Sequence, residues 1–132
     1  MPDTLGSRGF HHVALAAADF DRSLEFYHDG LGFVPFRAWG GPGERAVMLA
    51  VGAESYLEIF ERPDDPLDAG RLLHLALRVD DCRAAHAAAI EAGAREKMAP
   101  TEVEIPADPP FPVTISFVVG PDGEEIELFQ ER

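Results

Sequence analysis

Lysine is almost missing from this chain: Lys97 is the only one, against 24 acidic residues and a formal net charge of −13. With no basic cluster to offset that charge, a track for DNA or RNA phosphates is not expected, and nucleic acid drops out as a partner. Cysteine is equally scarce. Cys82 stands alone, which rules out an intrachain disulfide and agrees with a reducing compartment, so the cytoplasm is the expected address. No apolar run approaches the roughly 20 residues of a membrane span, and a membrane partner is not expected. The opening Met-Pro-Asp-Thr-Leu-Gly-Ser-Arg lacks the basic-then-apolar pattern of a signal peptide. What remains is an ordinary globular composition, 132 residues with 46% hydrophobic and 27% charged. That suffices for one domain with its own core.

Two stretches of the chain, 62 residues apart, repeat each other around a histidine. The first is His12-Val-Ala-Leu, with Asp19 seven residues after the histidine and Gly30 closing the segment. The second is His74-Leu-Ala-Leu, with Asp81 again seven residues on and Gly93 at the close. Each repeat leads into strand-like sequence with a glutamate between apolar residues, Leu57-Glu58-Ile59 and Ile126-Glu127-Leu128. One histidine and one glutamate per repeat make a set of two imidazoles and two carboxylates, ligand chemistry suited to a divalent metal. A strand histidine can also be satisfied by backbone groups, and a strand glutamate can simply be exposed. A duplication that keeps a polar residue inside an apolar strand is hard to explain by packing alone.

The coarse secondary structure follows the duplication. Residues 10–16 read as a strand. Asp19 or Asp21 can cap a helix whose apolar face is Phe20, Leu24, Tyr27 and Leu31, stopped by Gly30 and Gly32. Strands are expected at about 33–39, 45–51 and 55–61, with turns at Gly40-Gly41-Pro42-Gly43 and Gly52-Ala53-Glu54. The Pro/Asp-rich stretch from Arg62 to Gly70 reads as the joint between two halves. The second half repeats the order, with a strand at about 72–79 and an alanine-rich helix from Asp81 to Ala92. Strands at about 102–105, 112–119 and 124–130 follow. Pro106 to Pro112 holds four prolines and reads as an irregular loop, and Asp122-Gly123 as a hairpin turn. Each half is therefore β-α-β-β-β.

Strand alternation tests the ligand idea, since successive side chains point to opposite faces. Val13 and Leu15 oppose His12, Ala14 and Ala16; Leu75 and Leu77 oppose His74, Ala76 and Arg78. Leu57 and Ile59 oppose Tyr56, Glu58 and Phe60; Ile126 and Leu128 oppose Glu125, Glu127 and Phe129. In all four strands the apolar pair faces the helices and the candidate ligand faces the other way. By the same parity His11 should face away from the site.

The run Asp19-Phe-Asp-Arg-Ser-Leu-Glu-Phe-Tyr-His-Asp-Gly-Leu-Gly-Phe33 resembles the first helix of the vicinal oxygen chelate superfamily. The ending Gly120-Pro-Asp-Gly-Glu-Glu-Ile-Glu-Leu128 resembles that superfamily's last hairpin. The resemblance covers essentially the whole chain. It implies an α+β fold, two tandem βαβββ modules forming a half-open barrel, in a single domain over residues 1–132. Module one would span about 8–62 and module two about 70–132. It also implies a metal on the concave face held by His12, Glu58, His74 and Glu127, the ligand pattern of small bacterial glyoxalase I enzymes. Those enzymes use Ni²⁺ or Zn²⁺ and isomerise the hemithioacetal of glutathione and methylglyoxal; Co, Mn or Fe are further possibilities for the ion here. On that resemblance a metal acts as a Lewis acid and Glu127 moves the proton, with Glu58 the second choice as base. A half-open barrel leaves strand edges exposed, so a homodimer is expected.

The chain departs from the glyoxalase I pattern at two positions. Ala16 stands where an arginine would hold the glutathione carboxylate, and Arg62 where an asparagine is usual. The charge of −13 also disfavours anionic substrates unless local arginines compensate, with Arg37, Arg45, Arg62, Arg71 and Arg78 as candidates. The alternatives are a methylmalonyl-CoA epimerase-like isomerase, an Fe-dependent dioxygenase and a non-catalytic drug-binding module of the bleomycin-resistance type. The sister epimerases usually carry glutamine at the Glu58 position. Extradiol dioxygenases and fosfomycin-resistance transferases use two histidines and one glutamate, so Glu58 counts against all of these. His28 and His86 read as structural or solvated helix residues, Cys82 as buried filler, and Tyr56, Phe60, Phe129 and Met48 as candidates to line a cavity.

Overall fold

The computed structural model describes residues 5–30, 32–64, 72–120 and 123–132. Leu31, Arg71, Asp122 and residues 65–70 of the expected joint lie outside the described residues. The order of elements is the one the repeat predicts. Strand β1 (Ser7–Ala17) leads to helix α1 (Phe20–Leu24), which continues as a π-helical segment, Glu25–Gly30. Strands β2 (Val34–Trp39), β3 (Ala46–Ala50) and β4 (Tyr56–Glu61) follow. The second set is β5 (Leu72–Val79), α2 (Cys82–Glu91), β6 (Arg95–Ile105), β7 (Phe111–Val119) and β8 (Glu125–Glu131). Among the described residues no helix is long and apolar enough to cross a membrane.

Both helices start on the repeated aspartate. Asp19 accepts from Arg22 N at 3.1 Å and Asp81 from Ala84 N at 3.0 Å, each satisfying a donor that the first helical turn leaves unpaired. Gly32 takes φ +81° and Gly93 φ +115°, turns in which a side chain would be strained. The α-helical and π-helical segments together run from Phe20 to Gly30, ending at the glycine expected to stop the helix. His28 Nδ1 donates to the Phe33 carbonyl at 2.7 Å and ties the end of the π-helical segment to the chain leaving it.

The chain forms two compact units. One holds β1 up to His11 together with His74–Ile105 and Phe111–Arg132; the other holds His12–Leu73 and Pro106–Pro110. In the second of these the strand order is β2-β3-β4-β1, with β1 and β4 parallel and the other pairs antiparallel. Its core lies on the helix side, where Phe20, Val47, Leu49, Leu57 and Ile59 are buried and Leu15, Leu24 and Tyr27 pack against them. The other unit has the equivalent order β5-β8-β7-β6, with β5 and β8 parallel. There Val79, Cys82, Ala85 and Leu128 are buried, joined by Leu77, Ala89 and Ile126. In both units the apolar set assigned to the helix side by parity is where the core forms.

Strand β6 departs from expectation. It runs from Arg95 rather than from about residue 102, and it contains Pro100. The missing amide of a proline is tolerated on an edge strand, and β6 pairs only with β7 among the described residues. Register shifts between Glu96 and Met98 and between Met98 and Thr101 take up the irregularity. The expected loop at 106–112 ends earlier, because Phe111 and Pro112 belong to β7. Phe111 is buried and lies 5.8 Å from the ring of Phe129, a packing gain that draws the chain into the strand.

Candidate functional site

Each unit carries one histidine–glutamate pair, built in the same way. In β1 and β4 the register sets His12 opposite Tyr56 and Ala14 opposite Glu58. His12 therefore reaches Glu58 along the diagonal, Nε2 to Oε1 at 3.2 Å. The residue beside Glu58 on β1 is only an alanine, which leaves room for the imidazole. On the other flank Glu58 opposes Met48 of β3. Ala14 and Met48 are fully buried, and His12 and Glu58 are at most 5% exposed.

The second pair repeats this geometry. Ala76 stands opposite Glu127 across β5 and β8, and His74 Nε2 lies 3.1 Å from Glu127 Oε1. Ala76 is fully buried as well. The alanine of His-x-Ala thus has a reason in both repeats: it is the register partner of the glutamate. The outer flank differs. Glu127 opposes Phe117 of β7, whose ring meets His74 edge-on with centroids 5.2 Å apart.

A donor set of imidazole nitrogens and carboxylate oxygens suits a divalent ion, and each pair's spacing fits one. Two donors held by an ion at about 2.1 Å, at angles of about 90–109°, stand about 3.0–3.4 Å apart. The observed separations are 3.2 and 3.1 Å. Burying a carboxylate this deeply is costly unless a cation or donors compensate it.

His11 overturns its expected orientation. It is fully buried, its ring lies 4.0 Å from that of Phe129, and Nε2 donates to Glu131 Oε2 at 2.9 Å. Phe129 and Glu131 alternate onto the same face of β8 as Glu127. Arg78, on the His74 face of β5, grips the same Glu131 oxygen. The shared parity of Arg78 and Glu131 with the two candidate ligands was the available signal for this cluster. Behind the sheet, His86 Nε2 donates to Glu96 Oε1 at 2.7 Å and Nδ1 shares a hydrogen bond with Ser116 Oγ at 2.9 Å. His86 is thus structural, joining α2 to β6 and β7. Cys82 is buried against Leu128, and burial pushes its thiol pKa up, away from nucleophilic use. On the Glu58 face Tyr56 stacks on Phe36 at 4.7 Å, and the Arg62 guanidinium lies 5.3 Å from the centroid of Phe60.

The sequence matches the Glyoxalase/Bleomycin resistance protein/Dioxygenase superfamily over residues 9–128. The chain belongs to that superfamily. It is 32% identical over 141 residues to the uncharacterized protein YaeR of Escherichia coli (strain K12), an alignment covering 96% of this chain and 99% of the relative. The crystal structure of methylmalonyl-CoA epimerase from Mycobacterium tuberculosis superposes with a TM-score of 0.77 at 27% identity, covering 100% of this chain and 93% of that one. A mutant of 4-hydroxymandelate synthase from Streptomyces coelicolor gives a TM-score of 0.74 at 23% identity, over 96% of this chain and 42% of that one. The superfamily fold, mostly strands with few helices, is the one expected from the two βαβββ modules.

Proposed function

We propose that the two pairs act as one set, His12, Glu58, His74 and Glu127, on a single divalent cation. The protein is then a metal-dependent isomerase or lyase of the glyoxalase I type, acting on a small substrate that chelates through adjacent oxygens. The observation that carries this reading is the duplicated, buried His–Glu pair. The mixed nitrogen and oxygen donors fit Ni, Zn, Co, Mn or Fe, and the resemblance to glyoxalase I favours nickel or zinc among them. When bound, the ion supplies Lewis acidity toward the substrate oxygens. Glu127 carries the proton, taking it from a carbon beside a carbonyl and returning it to the neighbouring carbon; Glu58 is the second choice. Phe117 beside Glu127 supports that order. Its ring meets His74 edge-on, which fixes the imidazole beside the Glu127 carboxylate.

The leading substrate is the hemithioacetal of glutathione and methylglyoxal. Ala16 is fully buried and offers no cation, so the clamp for a glutathione carboxylate falls to Arg62, stacked on Phe60 of the Glu58 face. A second reading, epimerisation of an acyl thioester, is favoured by the whole-chain similarity to methylmalonyl-CoA epimerase at 27% identity. Both reactions move a proton beside a carbonyl. The working unit is a single domain over residues 1–132, paired as a homodimer in the cytoplasm. Metal analysis of protein purified without chelator should give about one ion per chain; its absence would move the assignment to a drug-binding module. Lactoylglutathione formation with added Ni²⁺ or Zn²⁺ should be lost in Glu127→Gln. Turnover of methylmalonyl-CoA without turnover of the hemithioacetal would select the epimerase reading.

A further inference from the structure

We infer that His11 is a positioning residue for the metal centre. The inference rests on the proposed four-residue metal set. The chain passes from one compact unit to the other between His11 and His12. Where β1 makes that passage decides where the first candidate ligand begins. The residue at the crossing is held in three ways. Its side chain is fully buried, its ring lies 4.0 Å from that of Phe129, and Nε2 donates to Glu131 Oε2 at 2.9 Å. Glu131 is itself fixed by Arg78, a buried cation on the His74 face of β5.

The lock is anchored on the strands that carry the other pair. Arg78 lies four residues after His74 on β5, and Glu131 four residues after Glu127 on β8. The two strands are in register there, with Ala76 opposite Glu127 and Arg78 opposite Phe129. One peptide bond after this anchored ring comes His12, whose Nε2 lies 3.2 Å from Glu58 Oε1 and would be the ligand beside it on the cation. A buried imidazole needs a hydrogen-bond partner in any role, and the one it finds here sits on the strand that carries Glu127. A charged, hydrogen-bonded clamp fixes direction as well as volume. His11 touches neither substrate nor metal. It acts through His12, by fixing the backbone from which that ligand projects.

Two substitutions separate the parts of the lock. His11→Phe keeps an aromatic ring against Phe129 and loses the hydrogen bond to Glu131. His11→Gln loses the ring and keeps an amide donor near the position of Nε2. The measurements are Ni²⁺ and Zn²⁺ affinity by titration calorimetry and the thermal midpoint of the metal-free protein. Leu49→Ala, in the helix-side core that Leu15 of β1 also joins, serves as a control that lowers stability without removing any of the His11 contacts to Phe129 and Glu131. His11→Phe should weaken metal binding about tenfold or more, and His11→Gln should recover most of that loss. Leu49→Ala should lower the midpoint and leave affinity unchanged. Wild-type affinity in His11→Phe, or no recovery in His11→Gln, overturns the inference and leaves the metal set standing. A wild-type protein that takes up neither ion overturns both.

Discussion

Arg45 joins the start of the first helix to the end of β4. Its Nε and Nη2 donate to the two carboxylate oxygens of Glu61 at 3.0 and 2.9 Å, and Nη1 donates to Asp21 at 2.9 Å. The guanidinium also lies 4.6 Å from the Phe20 ring centroid. The Arg45 hydrogen bonds hold the Glu61 carboxyl down at about 2. Because the folded value lies below the unfolded one, near 4.3, this contribution to stability is full above about pH 4.3. It declines as pH falls and is lost through about pH 2. Glu61→Gln should therefore be less stable than wild type at neutral pH, with the gap closing on acidification; denaturant melts at a series of pH values measure it. At this scale the sequence was a good guide to the ligand candidates, because each appears twice at matched spacing. It gave no reason for Ala14 and Ala76, whose role depends on a register that only strand pairing reveals. His11 was misjudged for a related reason. Alternation orients a side chain relative to its own strand and does not tell which side chains pack against it.

Helices and long strands differed in how clearly they could be read. The caps were legible because a carboxylate before an apolar run has one efficient use, accepting from the first turn. Helix α2 spans only Cys82–Glu91, and most of its stripe is alanine, so its apolar grip on the sheet is thin. The cap and the His86 bridge to Ser116 and Glu96 must do correspondingly more. Asp81→Ala should destabilise the protein by about 0.5–2 kcal/mol, read as a lower denaturation midpoint with an unchanged slope. Strand β6 was underestimated because its Glu, Lys and Pro content scores poorly for a strand. An edge tolerates those residues: one side of the ladder needs no partner, and the register shifts absorb Pro100.

For the whole molecule, the two outer strands decide how copies could meet. Among the described residues β6 pairs only with β7, and β2 only with β3. Strand β6 carries Glu96, Lys97, Pro100, Glu102 and Glu104, charges and a proline that guard an edge against further pairing. Strand β2 is guarded less heavily, with Pro35 and Arg37 among its six residues. It reads Val-Pro-Phe-Arg-Ala-Trp, and Val34 is 60% exposed. The β2 edge is accordingly the one a homodimer would cover, and Val34→Asp should shift the dimer to monomer in sedimentation velocity at micromolar concentration. Glu102→Gln on β6 should leave it intact. The charge adds an independent expectation. Two chains of −13 repel on approach, and salt screens that repulsion over about 10 Å at 0.1 M. The dimer should therefore tighten as ionic strength rises, opposite to an interface held by complementary charges. A wild-type monomer at every salt concentration would remove the dimer from the account.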